Sequence, residues 1–266
     1  MKQLSSRHHP LVATCRSLAR GRAGGDDRVL LDGIHLLADA VRAGLALDTV
    51  AFTPRLRATD EGGRLLSELS GHAAEVVEVS DKVMAAMSPV STPSGVVAIA
   101  SRPHSSLAGV FARAPQLVVI ALDVQEPGNV GAIVRASEAG GATGVVFCGA
   151  CADPFGWKAL RGSMGSALRF PVATGVSVRE TLAGARERAV RILATLPRGG
   201  QAPRGLDLRQ PTAFVLGGEG PGLSEAVLEV TDARVSIPMR PPVESLNVAV
   251  AAALLVYEAA RQREPV

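Results

Sequence analysis

Aromatic residues are scarce in this chain: one Trp, one Tyr and six Phe, 3% of its 266 residues. Hydrophobic residues nevertheless make up 47%, so the core has to be built from aliphatic side chains packed to the usual density. Long apolar runs are also missing. The longest near the C-terminus, Val248 to Tyr257, is about half of what a membrane-spanning helix needs. The opening Met1-Lys2-Gln3-Leu4-Ser5-Ser6-Arg7-His8-His9 lacks the apolar stretch of a secretory signal. A soluble, cytoplasmic protein with no membrane partner is expected. Cysteines number three, Cys15, Cys148 and Cys151, an odd count that argues against a disulfide framework. Cys148 and Cys151 are spaced as a CxxC pair, but a zinc site needs two further ligands, and all five His lie before residue 105. A thioredoxin-type pair should open a helix directly, whereas Asp153-Pro154 follows here. Two reduced thiols at a strand end, and no metal, are the expectation. The nucleotide loops are absent as well. In the glycine-rich stretch after residue 216, Leu223 stands where GxGxxG would need its third Gly, and GxxxxGK[ST] occurs nowhere in the chain.

What is present is a mild excess of positive charge, +3 with a pI near 9.0, which permits a nucleic-acid partner without demanding one. The first 22 residues carry Lys2, Arg7, Arg16, Arg20 and Arg22 and no acid. They read as a solvated, partly frayed basic tail, with an RNA-facing arm as the alternative. The length is comfortable for two domains. Short apolar runs at 29–31, 50–52, 76–79 and 96–100 read as strands, and 35–43, 60–69 and 81–87 as helices, which together describe a small α/β domain. We place that domain at residues 1–101. A linker follows at 102–114, after the polar Ser101-Arg102-Pro103-His104-Ser105-Ser106, and a second α/β domain at 115–266. There, 117–122 is an unbroken apolar strand of the kind buried on both faces. Residues 130–139 read as a helix, 145–147, 190–196, 213–216 and 235–237 as strands, and 224–230 as a short helix. The last helix, 247–263, is apolar all round at its start and needs burial against the sheet or a partner subunit.

Three segments of the second domain are strands that run into loops of polar and helix-breaking residues. In the first, Pro127-Gly128-Asn129 follows the buried strand and predicts a tight turn, with Gly131 and Arg135 in the helix beyond it. The second is Leu216-Gly217-Gly218-Glu219-Gly220-Pro221-Gly222-Leu223-Ser224, whose glycines imply close approach or positive φ; a plain glycine turn would look the same. The third is Ile237-Pro238-Met239-Arg240-Pro241-Pro242-Val243-Glu244-Ser245-Leu246-Asn247, stiffened by proline. Ser245 suits the N-cap of the last helix, and Asn247 suits either a cap or a ligand contact.

Together and in this order the three segments resemble the signature motifs of the SpoU/TrmH methyltransferases. Asp123, Pro127, Asn129, Gly131 and Arg135 fall on the first motif, residues 217–224 on the second, and Ile237-Pro238-Met239 with Ser245-Leu246-Asn247-Val248 on the third. The stretch from Asp153 through Lys158, Arg161, Ser163, Met164 and Gly165 is similar to the family too. Pro241 departs from it where a Gly is usual, and Ala249 where a Ser is common. Residues 30–37 and 92–96 carry a weaker likeness to the family's substrate-binding domain, with Asp32 and Ser94 as departures.

The resemblance implies an α/β SPOUT domain with a deep trefoil knot, preceded by the RNA substrate-binding domain. It implies a homodimer that transfers a methyl group from S-adenosylmethionine to an RNA ribose 2′-hydroxyl, with rRNA favoured. The alternatives are a tRNA enzyme or a non-catalytic RNA-binding relative. Carried over residue by residue, it implies cofactor contacts at Leu216, Gly217, Gly220, Ile237, Met239 and Leu246. The implied catalytic set is Arg135, Asn129, Glu219, Ser245 and Asn247. The family's Arg is often given the role of general base. A guanidinium is not normally deprotonated in a protein, so a clamp on an RNA phosphate and on developing alkoxide charge is the physically easier role for Arg135.

Overall fold

The computed structural model describes residues 2–21, 27–69, 72–218, 220 and 222–264. The chain forms two compact units, residues 1–103 with 155–169, and residues 104–154 with 170–266.

The first unit contains β1 (Lys2–Leu4), α1 (Pro10–Ala19), β2 (Arg28–Asp32), α2 (Ile34–Arg42), β3 (Leu47–Phe52), α3 (Pro54–Arg57), α4 (Asp60–Glu68), β4 (Ala73–Val79), α5 (Asp81–Met87) and β5 (Val96–Ser101). Its five strands lie in the order β1-β4-β3-β5-β2, with β5 antiparallel to both of its neighbours. The described residues at the start of the chain, 2–21, correct the expectation of a frayed tail, while Arg22 lies outside the described residues. β1 pairs in parallel with β4, and α1 opens on Pro10, a residue pre-set for the first helical position, with His9 Nδ1 accepting from the Leu11 amide at 3.2 Å. Val12 and Cys15, one turn apart, are buried in the core. Arg16 donates from Nε to the Ala86 carbonyl at 2.9 Å. Two core positions make too narrow a stripe to stand out among so many cations, which is why composition alone suggested solvent.

The second unit runs α6 (Leu107–Val110), β6 (Leu117–Leu122), α7 (Pro127–Ala139) and β7 (Gly144–Cys148). The chain then passes through α8 (Trp157–Ser163) and α9 (Ser166–Arg169), which belong to the first unit, α8 against β2 and α9 against α2. It returns as β8 (Val172–Val176), α10 (Val178–Glu187), β9 (Arg191–Thr195), β10 (Thr212–Gly217), α11 (Glu225–Leu228), β11 (Ala233–Val235) and α12 (Val248–Arg263). The six strands are all parallel, in the order β11-β9-β10-β6-β7-β8. β6 and β10 are central and buried, as their apolar runs require. α7 and α12 pack against each other, so closely at the end of α7 that a Cβ on Gly140 would lie 2.5 Å from Val256 Cγ1.

The α/β reading holds for both units, with several local differences. α3, α8 and α9 were not among the helices expected, and α6 stands inside the stretch expected to be a linker, with Val110 and Phe111 in the core of the second unit. α7 begins at Pro127, with the Glu126 carboxylate accepting from the Gly128 amide, so Pro127-Gly128-Asn129 is the first turn of the helix and not a turn before it. β8 and α10 were not read from the sequence, because the polar Thr174-Gly175 interrupts the strand's apolar run. β11 stops at Val235, leaving Ser236 and Ile237 to the loop beyond. Among the described residues no helix is long and apolar enough to cross a membrane.

Candidate active site

Parallel strands put their carboxyl ends on one edge of a sheet, and ligands in open α/β folds bind outside that edge. Here β9, β10 and the chain beyond β11 end around one cavity of about 550 Å³, lined by Thr195, Leu196, Pro197, Leu216, Gly217, Gly218, Gly220, Gly222, Leu223, Ile237, Met239, Ser245, Leu246, Asn247, Val248 and Ala251. The size is that of an ordinary small-molecule site. All six residues expected to contact the cofactor, Leu216, Gly217, Gly220, Ile237, Met239 and Leu246, are on this wall. So are Ser245 and Asn247. Thr195, Leu196 and Pro197 were missed; the signal for them was their place directly after a parallel strand.

Backbone geometry explains the glycines. A Cβ on Gly217 would lie 2.7 Å from the carbonyl carbon of Gly222, and one on Gly218 would collide with the Asp123 carbonyl. The loop therefore folds back on itself and against the end of β6 in a way only glycine allows. Gly220 and Gly222 have φ of +116° and +71°. Asp123, itself at φ +56°, accepts from the Ala150 amide with Oδ1 at 2.7 Å, which ties the end of β6 to the turn after β7. In that turn Cys151 donates its thiol to the Cys148 carbonyl. Both thiols are free, and burial pushes both up from their ordinary pKa, away from the reactive thiolate.

Asn247 answers the question the sequence left open. It, and not Ser245, is the N-cap of α12: its Oδ1 accepts from the amides of Ala249 at 2.9 Å and Val250 at 3.3 Å. Its Nδ2 donates to Asn129 Oδ1 at 2.9 Å. The third motif is thereby latched to the first turn of α7. Arg135 lies farther along α7 and is exposed, while Val130, Ile133, Val134 and Ser137 face the core. Neither Asn129 nor Arg135 lines the cavity. Glu219 lies outside the described residues.

No described lining residue carries a charge. Such a wall cannot neutralise a chain of phosphates, but it suits a nucleoside held by backbone groups and apolar contacts. The residues therefore fit S-adenosylmethionine, an adenosine that carries its own sulfonium and amino-acid charges. Among the described residues, the cavity at the carboxyl edge of the parallel sheet is thus a glycine-rich site without charged side chains, of a size for a small molecule.

The comparisons with known proteins give the family. Residues 116–257, more than half of the chain, match the SpoU rRNA methylase family, and residues 19–98 match the MRM3-like substrate-binding domain. The chain is 34% identical to a tRNA/rRNA methyltransferase of Synechocystis, over 98% of this chain and 94% of that one. It is 29% identical to the 23S rRNA (guanosine(2553)-2′-O)-methyltransferase RlmP of Bacillus subtilis, over 97% and 98%. Among solved structures, the SpoU methyltransferase AviRb of Streptomyces viridochromogenes in complex with S-adenosylmethionine superposes with a TM-score of 0.88 at 27% identity, covering 96% of this chain and 98% of that one. This chain belongs to the SpoU rRNA methylase family. It is an RNA ribose 2′-O-methyltransferase that uses S-adenosylmethionine.

Proposed function

We propose that the substrate is ribosomal RNA, that the enzyme works in the cytoplasm as a homodimer, and that Arg135 clamps the RNA while Asn129 and Asn247 hold the site together. The observation that carries the roles of these residues is the Asn247–Asn129 hydrogen bond. It joins the wall of the uncharged cavity to the helix that bears Arg135. When bound, the cofactor supplies a methyl group already activated on sulfur. The protein's share is then to place the ribose oxygen in line with it and to ease loss of the hydroxyl proton. An exposed Arg135 suits a fork-like grip on a phosphate and can also stabilise charge that develops on the oxygen. Glu219 belongs to this polar set through its motif position. The preference for rRNA over tRNA rests on the likeness to RlmP, which acts on 23S rRNA, and on the substrate-binding unit. The deep knot is part of the same reading.

The homodimer is supported by α12. Its inner face, Ala252, Leu255, Val256 and Ala259, is buried, while Val250, Leu254 and Tyr257, at 48%, 47% and 53% exposure, form one outward stripe. An apolar stripe at that spacing is the self-complementary kind of surface on which twofold pairs form.

The test is methyl transfer. Purified protein with labelled S-adenosylmethionine and total RNA from a strain lacking the gene is expected to label 23S rRNA at a single ribose. Label in tRNA alone would replace the substrate, and no label in any RNA would overturn the reading.

A further inference from the structure

The segment between β7 and β8 lies inside the methylase-family match, yet it packs in the first unit. Gly165, at φ +77°, sits so tightly against Asp39 of α2 that any Cβ would collide with its carboxylate. Asp39 also pairs with Arg42 at 2.9 Å and Arg169 at 3.8 Å. At the other end the Arg102 guanidinium lies 4.5 Å from the centroid of the Phe155 ring. Between these anchors α8 has two faces. Ala159, Leu160 and Ser163 are buried. Trp157, Lys158, Arg161 and Met164 point away from the core, Trp157 half-buried, Lys158 and Arg161 exposed, and Met164 at 56% exposure.

That outward face is odd as mere surface. It holds the only Trp of the chain, on the side where the core has no need of it. Residues 155–169 include Lys158, Arg161 and Arg169 and no acid; the acids that face them from the rest of the unit are Asp39 and the half-buried Asp32. Lys158 Nζ stands 5.7 Å from the Trp157 ring centroid, at the outer limit of a cation–π contact and easily lifted. An aromatic face edged by cations is how proteins hold unpaired nucleotides: the ring stacks on the base, and the cations follow the backbone.

We propose that the outward face of α8, Trp157 with Lys158, Arg161 and Met164, is a stacking surface for an unpaired nucleobase of the RNA substrate. The proposal rests on the RNA-methylating reading and adds to it that part of the substrate is single-stranded and is read by this segment. It needs no methyl transfer to be tested, because the sole Trp is its own reporter. The full-length protein is titrated with a single-stranded 12-mer oligoadenylate and with a duplex of the same length, following Trp emission and, in parallel, the anisotropy of labelled RNA. The single strand is expected to quench Trp157 and to bind more tightly than the duplex. Trp157→Ala is expected to weaken single-strand binding by about fivefold or more, and Trp157→Phe to recover most of it. Lys158→Ala should lower the salt slope by about 0.7. Circular dichroism and thermal unfolding, unchanged in each variant, show that they fold. RNA that binds by anisotropy without altering Trp emission, with Trp157→Ala at wild-type affinity, overturns the surface alone. Quenching that depends on protein concentration and not on RNA assigns it to subunit contact and overturns it too. If no RNA binds at all, the functional reading fails with it.

Discussion

Replacing Asn247 by Ala removes two interactions at once, and the structure says how much each is worth. The carboxamide oxygen caps α12 through the amides of Ala249 and Val250, a contribution of about 1 kcal/mol. The amide nitrogen makes the 2.9 Å bond to Asn129, worth a further ~1 kcal/mol net. Asn247→Ala is therefore expected to lose about 2 kcal/mol, a fall in Tm of roughly 4–8 °C for a domain of this size. Asn129→Ala cuts the bridge and leaves the cap, so it should cost about 1 kcal/mol plus the worth of Asn129's other contacts. The pair is read as a double-mutant cycle by urea and thermal unfolding. The coupling should be about 0.5–1.5 kcal/mol, leaving the double variant more stable than the sum of the single losses. Fully additive losses would refute the bridge, and an Asn247→Ala protein that melts with the wild type would refute the cap. The functional arm uses Asn129→Ala, because Asn129 lies off the cavity wall: S-adenosylhomocysteine affinity should hold while the single-turnover rate falls.

Arg135→Ala should damage methyl transfer with cofactor affinity intact. Arg135→Lys, which keeps the charge but loses the fork, should retain a partial rate with a weaker RNA complex. Full activity in Arg135→Ala removes the residue from the mechanism, and near-normal RNA binding by Arg135→Lys, with a rate that climbs as the amine deprotonates, would assign it the base role instead. Leu254→Glu places a carboxylate in the outward stripe of α12 and should give a monomer by light scattering at micromolar concentration; an unchanged dimer would move the interface elsewhere, and a wild-type monomer would end the dimer proposal. Hydrogen bonds from Arg261, then from Gln262, hold the Glu258 carboxyl down at about 2. A folded-state value below the unfolded one means that its contribution is complete above the unfolded pKa of about 4.5 and is lost as pH falls toward 2. The Tm of wild type should accordingly drop more than that of Glu258→Gln between pH 5 and pH 2, discounted for the exposure of Arg261; parallel curves would show that the pair adds nothing.

Much of the site was legible because it is local. Gly217, Gly218, Gly220 and Gly222 announce a backbone under constraint wherever they are placed, and the stiff loop from Pro238 to Pro242 sits after a strand in the sequence as it does in space. What could not be read is whatever depends on a partner far along the chain. Ser245 and Asn247 are both good caps, two residues apart, and propensity does not choose between them. The choice falls to Asn247 because Asn129, 118 residues away, receives its other end. Thr195, Leu196 and Pro197 look like any strand exit until β9 takes its place between β11 and β10.

The sequence alone determined the elements with strong periodicity or unbroken apolar runs: β6, β10, the helix that follows β6, and α12. It also determined the glycine-built character of the cofactor loop, because residue type and order suffice for both. Tertiary structure alone decided that residues 2–19 are strand and helix, that residues 155–169 leave the methylase half to pack beside β2 and α2, and that three separate strand ends share one cavity. Each of these turns on pairing between residues tens of positions apart, where the free energy comes from burial and hydrogen bonds that no short window of sequence contains.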